Sequence, residues 1–430
     1  MTPCRPALAR RPSAAKRPAA VLAFATAGFP NRALTRADPS TPLVYIIAGE
    51  ASGDNLAARL MAALRQATGD RVRFAGVGGA AMAAEGLSSL FPMRDLSLLG
   101  MTEVLPHLPR LIRCLRAAAA AIEASRPAVV VTVDCPGFSF RVAKRIRRLG
   151  IPLIHYVAPQ LWAWRPGRGR ALAGFVDHLL ALLPFEPEFF KAYGVRCTFV
   201  GHPAIEAGLA EGSGARFRAR HGIADSAPLV VVLPGSRRAE IRRLLPVFGR
   251  ALDLLGARHP GMVAAIPLVE AVADAVRANV AGWRVPLVMV DDTADKIDAF
   301  AASTVAITKS GTATLELAIA GVPMVASYRV SPLTAMLARR LLRVDEVTLV
   351  NLLAGERLVP ELLQERCRPE AIAAAVSDLL DRPERRRTMR AGLRAVVARL
   401  GDRSPGPSAR AADIVLSAMA GGARQTPADG

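Results

Sequence analysis

At 430 residues the chain is long enough for two or three domains with ample core. Hydrophobic residues make up 52% of it and aromatics only 5%, and no apolar run reaches the roughly 18 residues of a membrane-spanning helix. Fifty-six basic against 36 acidic residues leave a net charge of +20; the arginines are dispersed along helical stretches with few aromatics between them, which suits phosphorylated small molecules or an anionic membrane surface and argues against a nucleic-acid reader.

Residues 1–40 hold seven Arg or Lys, one acid (Asp38), several Pro and a short apolar piece, AAVLAFATAGF. They read as a disordered basic extension or an over-long start rather than a targeting peptide. From Leu43 short apolar runs alternate with amphipathic stretches. LVYIIA (43–48) predicts a strand, DNLAARLMAALRQA (54–67) a helix and RVRFAGVG (71–78) a strand; VVVTVD, FRVAKRIRRLG and IPLIHYV repeat the beat through residue 157. After GHPAIE (201–206) it restarts: LVVVLPG, a helix from Arg238, then VAAIPL, PLVMV and TVAIT, each followed by a helical stretch, and last VPMVASY. This predicts an α/β fold of two Rossmann-like domains facing across a cleft, 41–205 and 206–405, with a tail at 406–430. Ligands of such sheets sit at the carboxyl ends of the strands, so the chemistry is expected at strand-to-helix turns.

The first turn is AGEASGDN (48–55). Gly49 and Gly53 suit a tight turn and Ser52 or Asp54 a helix cap, while Glu50 and the amides are candidates for the cleft. In VVVTVDCPGFSF (129–140) a carboxylate, Asp134, ends a run that must be buried, where an unpaired charge costs several kcal/mol. In LPGSRRAE (233–240) the turn at Gly235 and Ser236 opens a helix whose amides favour an anion, and Arg237 can fork two bonds to a phosphate; the plainer reading is a cap involving Glu240. TKSGTATLE (308–316) places Ser310, Gly311 and Thr312 at another helix start, and Glu316 could accept from a ribose diol. The GxGxxG spacing of nicotinamide sites is absent there.

His155 and His202 are polar residues in apolar surroundings, and a lone His is more often structural than a ligand. DDTAD (291–295) is read as turn and N-cap carboxylates, so no metal is expected. Five scattered cysteines (Cys4, Cys114, Cys135, Cys197, Cys367) with no CxxC pair point to a reducing compartment, without zinc or a disulfide framework. MRDLSLLGMTEVLPHLPRLIRCLR (93–116) sets Leu96, Leu98, Leu99, Met101, Val104, Leu105 and Leu108 beside Arg110, Arg113 and Arg116, the combination a membrane-surface element needs, although core packing would also use it.

Taken together, AGEASGD, MRDLSLLGMTEVLPHL, VDCPGF, HYVAPQLWAW, LLPFEPEFF with VGHP, LPGSR, SGTATLE with GVPMV, and VNLLAGERLVPELLQE closely resemble lipid-A-disaccharide synthase, a bacterial glycosyltransferase family of the B fold. The resemblance runs in order from about residue 43 to 367. It implies transfer of 2,3-diacylglucosamine from UDP to 2,3-diacylglucosamine 1-phosphate (lipid X), forming a β-1,6 bond with inversion and needing no metal or other cofactor. It implies Asp134 as general base. Arg237, Ser236, Ser310, Gly311, Thr312, Glu316 and Asn351 fall on the nucleotide side, Glu50, Ser52 and His155 on the acceptor side, and Leu98, Leu99, Met101 and Val104 against the bilayer. The implied place is peripheral, on the cytoplasmic face of the inner membrane, with no nucleic-acid partner and with homodimers among family members. The family usually reads Asp-x-Pro-Asp-Phe-Asn where this chain has Asp134-Cys135-Pro136-Gly137-Phe138-Ser139, and Lys309 replaces a smaller residue. The rival readings are another B-fold enzyme acting on UDP-N-acetylglucosamine, an epimerase or a glycolipid transferase, and an inactive membrane-surface scaffold.

Overall fold

The computed structural model describes residues 41–96, 104–164, 166–332, 334–336, 346–402 and 404–421. Two six-stranded sheets organise them, in the orders β2-β1-β3-β4-β5-β6 and β12-β11-β10-β7-β8-β9. The first comprises β1 (Leu43–Ala48), β2 (Arg73–Val77), β3 (Val129–Val133), β4 (Leu153–Tyr156), β5 (His178–Ala181) and β6 (Cys197–Phe199). The second comprises β7 (Leu229–Leu233), β8 (Val263–Pro267), β9 (Leu287–Val290), β10 (Val305–Lys309), β11 (Met324–Tyr328) and β12 (Glu361–Leu363). Described pairings run parallel, as β1 with β3 and β7 with β10 do. By packing, Val157–Ile414 form one compact unit and the residues up to Tyr156, with those from Val415, the other, so the division falls between β4 and β5 of the first sheet.

Every residue of β1, β3 and β7 is buried. A parallel sheet is covered on both faces, so its central strands read as unbroken apolar runs rather than as an alternation. The helices carry the complementary stripe. Helix α1 (Ala51–Thr68) buries Leu56, Leu60, Met61 and Leu64, spaced three or four apart on one side. Each such side chain contributes about 1.5–3 kcal/mol by leaving water. Four further helices matter for the turns described below: α2 (Ala80–Ala84), α3 (Val104–Ser125), α4 (Pro136–Ile146) and α5 (Arg238–Arg258). Helix α5 buries Ile241, Leu244, Leu245, Phe248, Leu252 and Leu255 in the second core.

The predicted runs LVYIIA (43–48), RVRFAGVG (71–78), VVVTVD (129–134), IPLIHYV (151–157), LVVVLPG (229–235), VAAIPL (263–268), PLVMV (286–290), TVAIT (304–308) and VPMVASY (322–328) each give a strand, trimmed by one or more residues in all but the first, with that of TVAIT running on to Lys309. The periodicity did not anticipate β5, β6 and β12. β6 and β12 are three residues each, too short to establish a period, and β6 is only half-buried. Among the described residues no helix is long and apolar enough to cross a membrane.

Candidate active site

Three segments of the first sheet meet at the carboxyl ends of β1 and β3. The chain leaves β3 through Asp134 and Cys135, both left-handed at φ 52° and 48°. Non-glycine residues seldom adopt this region, and aspartate is among those that tolerate it best. Hydrogen bonds hold the turn. Asp134 N donates to the Tyr156 carbonyl of β4 at 2.9 Å, and Ser139 Oγ donates to the Asp134 carbonyl at 2.8 Å. Pro136 then starts α4, where its missing N–H removes no helical bond. The Asp134 side chain is half-buried.

The turn after β1 packs directly against this one. A Cβ on Gly49 would lie 2.7 Å from both Cβ and Sγ of Cys135, so only glycine permits the approach. Glu50 precedes α1, and with Asp134 it forms the negative surroundings of Cys135. Burial, reinforced by those two carboxylates, pushes the Cys135 thiol up to about 11, so it stays protonated at neutral pH. Ser52 is exposed in the first turn of α1. Neither Ser52 nor Asp54 caps that helix as expected: its N-cap residue is Glu50, without a side-chain bond. Buried Asp54 instead accepts from Gly79 N (2.7 Å), Ala81 N (2.9 Å) and Met82 N (3.2 Å), fastening the start of α2.

In the second sheet β7 and β10 are neighbours, and their turns share one polar cluster. The chain leaves β7 through Gly235 at φ 119°, where a Cβ would stand 2.2 Å from Glu240 Oε2. That oxygen accepts from Ser236 N (3.1 Å) and Arg237 N (3.3 Å). The amides expected to draw a phosphate therefore carry an internal carboxylate, and the capping reading of Glu240 is the one realised. Its other oxygen pairs with Lys309 Nζ at 3.2 Å. The charge that Lys309 adds is thus met inside the protein, while the side chains of Ser236 and Arg237 are exposed. Tyr328 stands beside the cluster. Its hydroxyl pKa is raised by burial and then by Glu240, against the opposing fields of Arg237 and Arg243.

The SGTATLE stretch ends β10 and opens helix α6 (Ala313–Ile319). Ser310 is buried and its hydroxyl donates to the Val347 carbonyl at 3.3 Å. Gly311 accepts from Thr314 Oγ1 at 2.7 Å, and Thr312 is exposed at the helix start. Glu316 Oε2 accepts from Lys296 Nζ at 2.7 Å, and both side chains are about one-third exposed. Nothing in the spacing of the chain pointed to Lys296, which sits on the preceding helix, Thr293–Ala302. That helix is capped by Asp292, which accepts from Asp295 N at 2.9 Å, as the N-cap reading of DDTAD requires.

Two expected site residues turn inward. His155 is wholly buried on β4, its Nδ1 2.8 Å from Thr132 Oγ1 and its ring 4.7 Å from that of Phe140. Burial lowers its pKa to about 3, so it is a neutral core residue with no surface for an acceptor. Asn351 is also fully buried, on the helix Leu349–Ala354. Its Nδ2 donates to the Val359 carbonyl (2.9 Å) and Glu361 Oε1 (3.0 Å), and its Oδ1 accepts from Val359 N (2.8 Å). Glu361, which the motif contained but spacing did not single out, also accepts from Thr348 N at 2.8 Å. Asn351 braces the backbone; the amide groups that were to meet a ligand are taken.

Leu98, Leu99 and Met101 lie outside the described residues, and Val104 begins α3. Leu96 is buried, whereas Leu108 and Ile112 of α3 are exposed at 46% and 39% beside exposed Arg113 and Arg116. Arg110 pairs with the buried Asp95 at 2.6 Å. Among the described residues no three His, Cys, Asp or Glu side chains are grouped as a metal site needs.

A family model described as lipid-A-disaccharide synthetase matches residues 44–415. The chain belongs to that family. The lipid-A-disaccharide synthase of Rhodospirillum centenum is 52% identical over 379 residues, which cover 88% of this chain and 94% of that protein. Two solved structures share the fold at low identity. The MnaA–UDP co-structure from S. aureus has a TM-score of 0.59 at 14% identity, covering 87% of this chain and 94% of that one. CalG4, the calicheamicin glycosyltransferase, has 0.55 at 19%, covering 88% and 98%. The fold is the glycosyltransferase B fold, as expected.

Proposed function

We propose that this member of the lipid-A-disaccharide synthase family is an inverting glycosyltransferase that moves 2,3-diacylglucosamine from UDP to the 6-hydroxyl of 2,3-diacylglucosamine 1-phosphate, with Asp134 as the general base. The observation that carries the assignment of the base is the position of Asp134: a half-buried carboxylate at the carboxyl end of a central strand, on a backbone held left-handed by its neighbours, with Cys135 as a neighbour it shares with Glu50. In an inverting displacement the acceptor oxygen attacks the anomeric carbon from the face opposite UDP. The new C–O bond forms as the bond to the β-phosphate breaks, the hydroxyl proton passes to Asp134, and UDP leaves with the electron pair. Such a base contributes about 10²–10⁴-fold.

The residues around 41–205 are the acceptor half in this reading and those around 206–405 the UDP-sugar half. Arg237 offers a cation and the exposed Thr312 a hydrogen-bond donor to the departing diphosphate, the electrostatic stabilisation that often dominates such reactions, with Ser310 bracing the turn from beneath. Glu316, held by Lys296, accepts from the ribose. The exposed Leu108 and Ile112 with Arg113 and Arg116 favour a peripheral seat on an anionic membrane, where both lipid substrates reside. One assay tests the reaction: purified protein is mixed with UDP-diacylglucosamine and diacylglucosamine 1-phosphate, and UDP and disaccharide are quantified. Equal release of both is expected. UDP released with no disaccharide, or turnover of plain UDP-N-acetylglucosamine in place of the lipids, would overturn it.

A further inference from the structure

One hollow in the second unit lies outside every residue assigned so far. It measures about 420 Å³ and, among the described residues, is lined by Arg243 of α5 and by Arg329, Val330, Ser331 and Pro332, the segment that follows β11. That volume falls within the usual range of small-molecule sites. Neither Arg243 nor Arg329 has a hydrogen-bond or ion-pair partner among the described residues, although many arginines of this chain are paired. Guanidinium groups do not deprotonate, so two of them on one concave surface repel until an anion lies between them. The wall is also held in place. Val330 N donates to Gln364 Oε1 at 3.4 Å, and Ser331 Oγ accepts from Thr334 N at 3.2 Å. Arg243 shares the surroundings of Tyr328 with Arg237, which puts the hollow beside the polar cluster at the end of β7.

We propose that the Arg243–Arg329 hollow binds the phosphate of a phosphate ester. Forked guanidinium donors match phosphate oxygens, and Val330 and Pro332 offer apolar contact to the organic part. The space exceeds what a bare phosphate fills. Two sources share this chemistry, the diphosphate of the sugar donor and the 1-phosphate of the acceptor. Naming those two esters rests on the reaction proposed above; the hollow and its charge do not.

The test uses the full-length protein and Arg243→Gln, Arg329→Gln and the double variant, titrated calorimetrically with UDP and separately with glucosamine 1-phosphate. Each single change is expected to weaken binding of one ester about 10-fold and the double change about 100-fold, the scale of charge-assisted hydrogen bonds. A loss confined to UDP assigns the hollow to the donor diphosphate, and a loss confined to glucosamine 1-phosphate assigns it to the acceptor. Wild-type affinity for both esters in the double variant overturns the proposal, as does a wild-type protein that binds neither. Because the variants could be compromised in folding, phenylglyoxal labelling of the wild-type protein gives a second readout by mass spectrometry. Protection of Arg243 and Arg329 by the bound ester supports the site, and unchanged labelling of both overturns it. Binding is read without turnover, so a protein that binds the ester but transfers no sugar sinks the proposed reaction and leaves the hollow standing.

Discussion

At the end of β7 the chain turns on Gly235, and the nearest carboxylate, Glu240, folds back on the amides of Ser236 and Arg237 with Lys309 on its far side. At the end of β3 the chain turns instead on Asp134 and Cys135, two residues with side chains held at φ 52° and 48°. Glycine enters positive φ at no steric cost, whereas each side-chain-bearing residue there costs about 1–2 kcal/mol, less for aspartate. The β7 turn is therefore relaxed and uses its acid to satisfy its own backbone. The β3 turn keeps backbone strain in the place where a carboxylate is displayed, and strain of that kind persists where surrounding bonds over-determine it. The bonds from Asp134 N and Ser139 Oγ and the contact with Gly49 supply that determination.

The largest effect is expected where the displayed carboxylate itself is changed. Asp134→Asn should lower kcat about 10²–10⁴-fold with an unchanged melting curve, because asparagine also tolerates the left-handed conformation. A folded Asp134→Asn protein with near-normal turnover would erase the contrast between the two turns. The opposite signature is expected in the second sheet. Asn351→Ala should cost about 2–4 kcal/mol, because Val359 N and its carbonyl are left buried and unpaired, and activity should fall only as the protein unfolds. A raised KM with unchanged thermal stability would instead return Asn351 to the ligand.

The close approach at Gly49 sharpens the comparison further. Gly49→Ala drives a methyl group into Cys135 and should destabilise by about 1–3 kcal/mol, read from denaturant midpoints. Adding Cys135→Gly removes the clash and suits the positive φ, so the double variant should regain most of the loss; additive losses would show that the two turns are not coupled. The smallest effect concerns pH. The folded pKa of His155 is about 3, below the ordinary 6.5, so the unfolded chain takes up its proton first as pH falls. The stability due to the neutral buried ring is complete above pH 6.5 and is lost as pH drops toward 3. Glu186, raised to about 7 by burial, runs the other way and loses stability as pH rises from about 4.5 through 7. In His155→Gln the fall in stability between pH 6.5 and 5 should flatten by up to about 1.4 kcal/mol per pH unit, one proton's worth. Identical slopes in thermal melts of the two proteins would mean that His155 can protonate while folded.

The strands around the two turns were legible because central parallel strands are written as unbroken apolar runs, VVVTV and LVVVL among them. Asp134 was legible for the same reason, as a charge that such a run should not end on. The use made of the other polar residues was not. Glu240 and Glu316 stand at similar places near helix starts, yet the first closes on its own turn and the second reaches a lysine twenty positions back in the chain. His155 and Asn351 carry groups that suit a site, and packing turned both into the core.

The sequence by itself determined the alternation of strand and helix, hence two Rossmann-like sheets, and it marked Asp134, because burial of a run and the misfit of one charge are local properties of neighbouring residues. Only the tertiary structure decided which carboxylates cap, which pair and which are displayed, and that two unpaired arginines share one hollow. Hydrogen bonds and ion pairs depend on ångström distances between residues far apart in the chain, such as Lys309 and Glu240, and those distances are fixed by how the strands lie side by side.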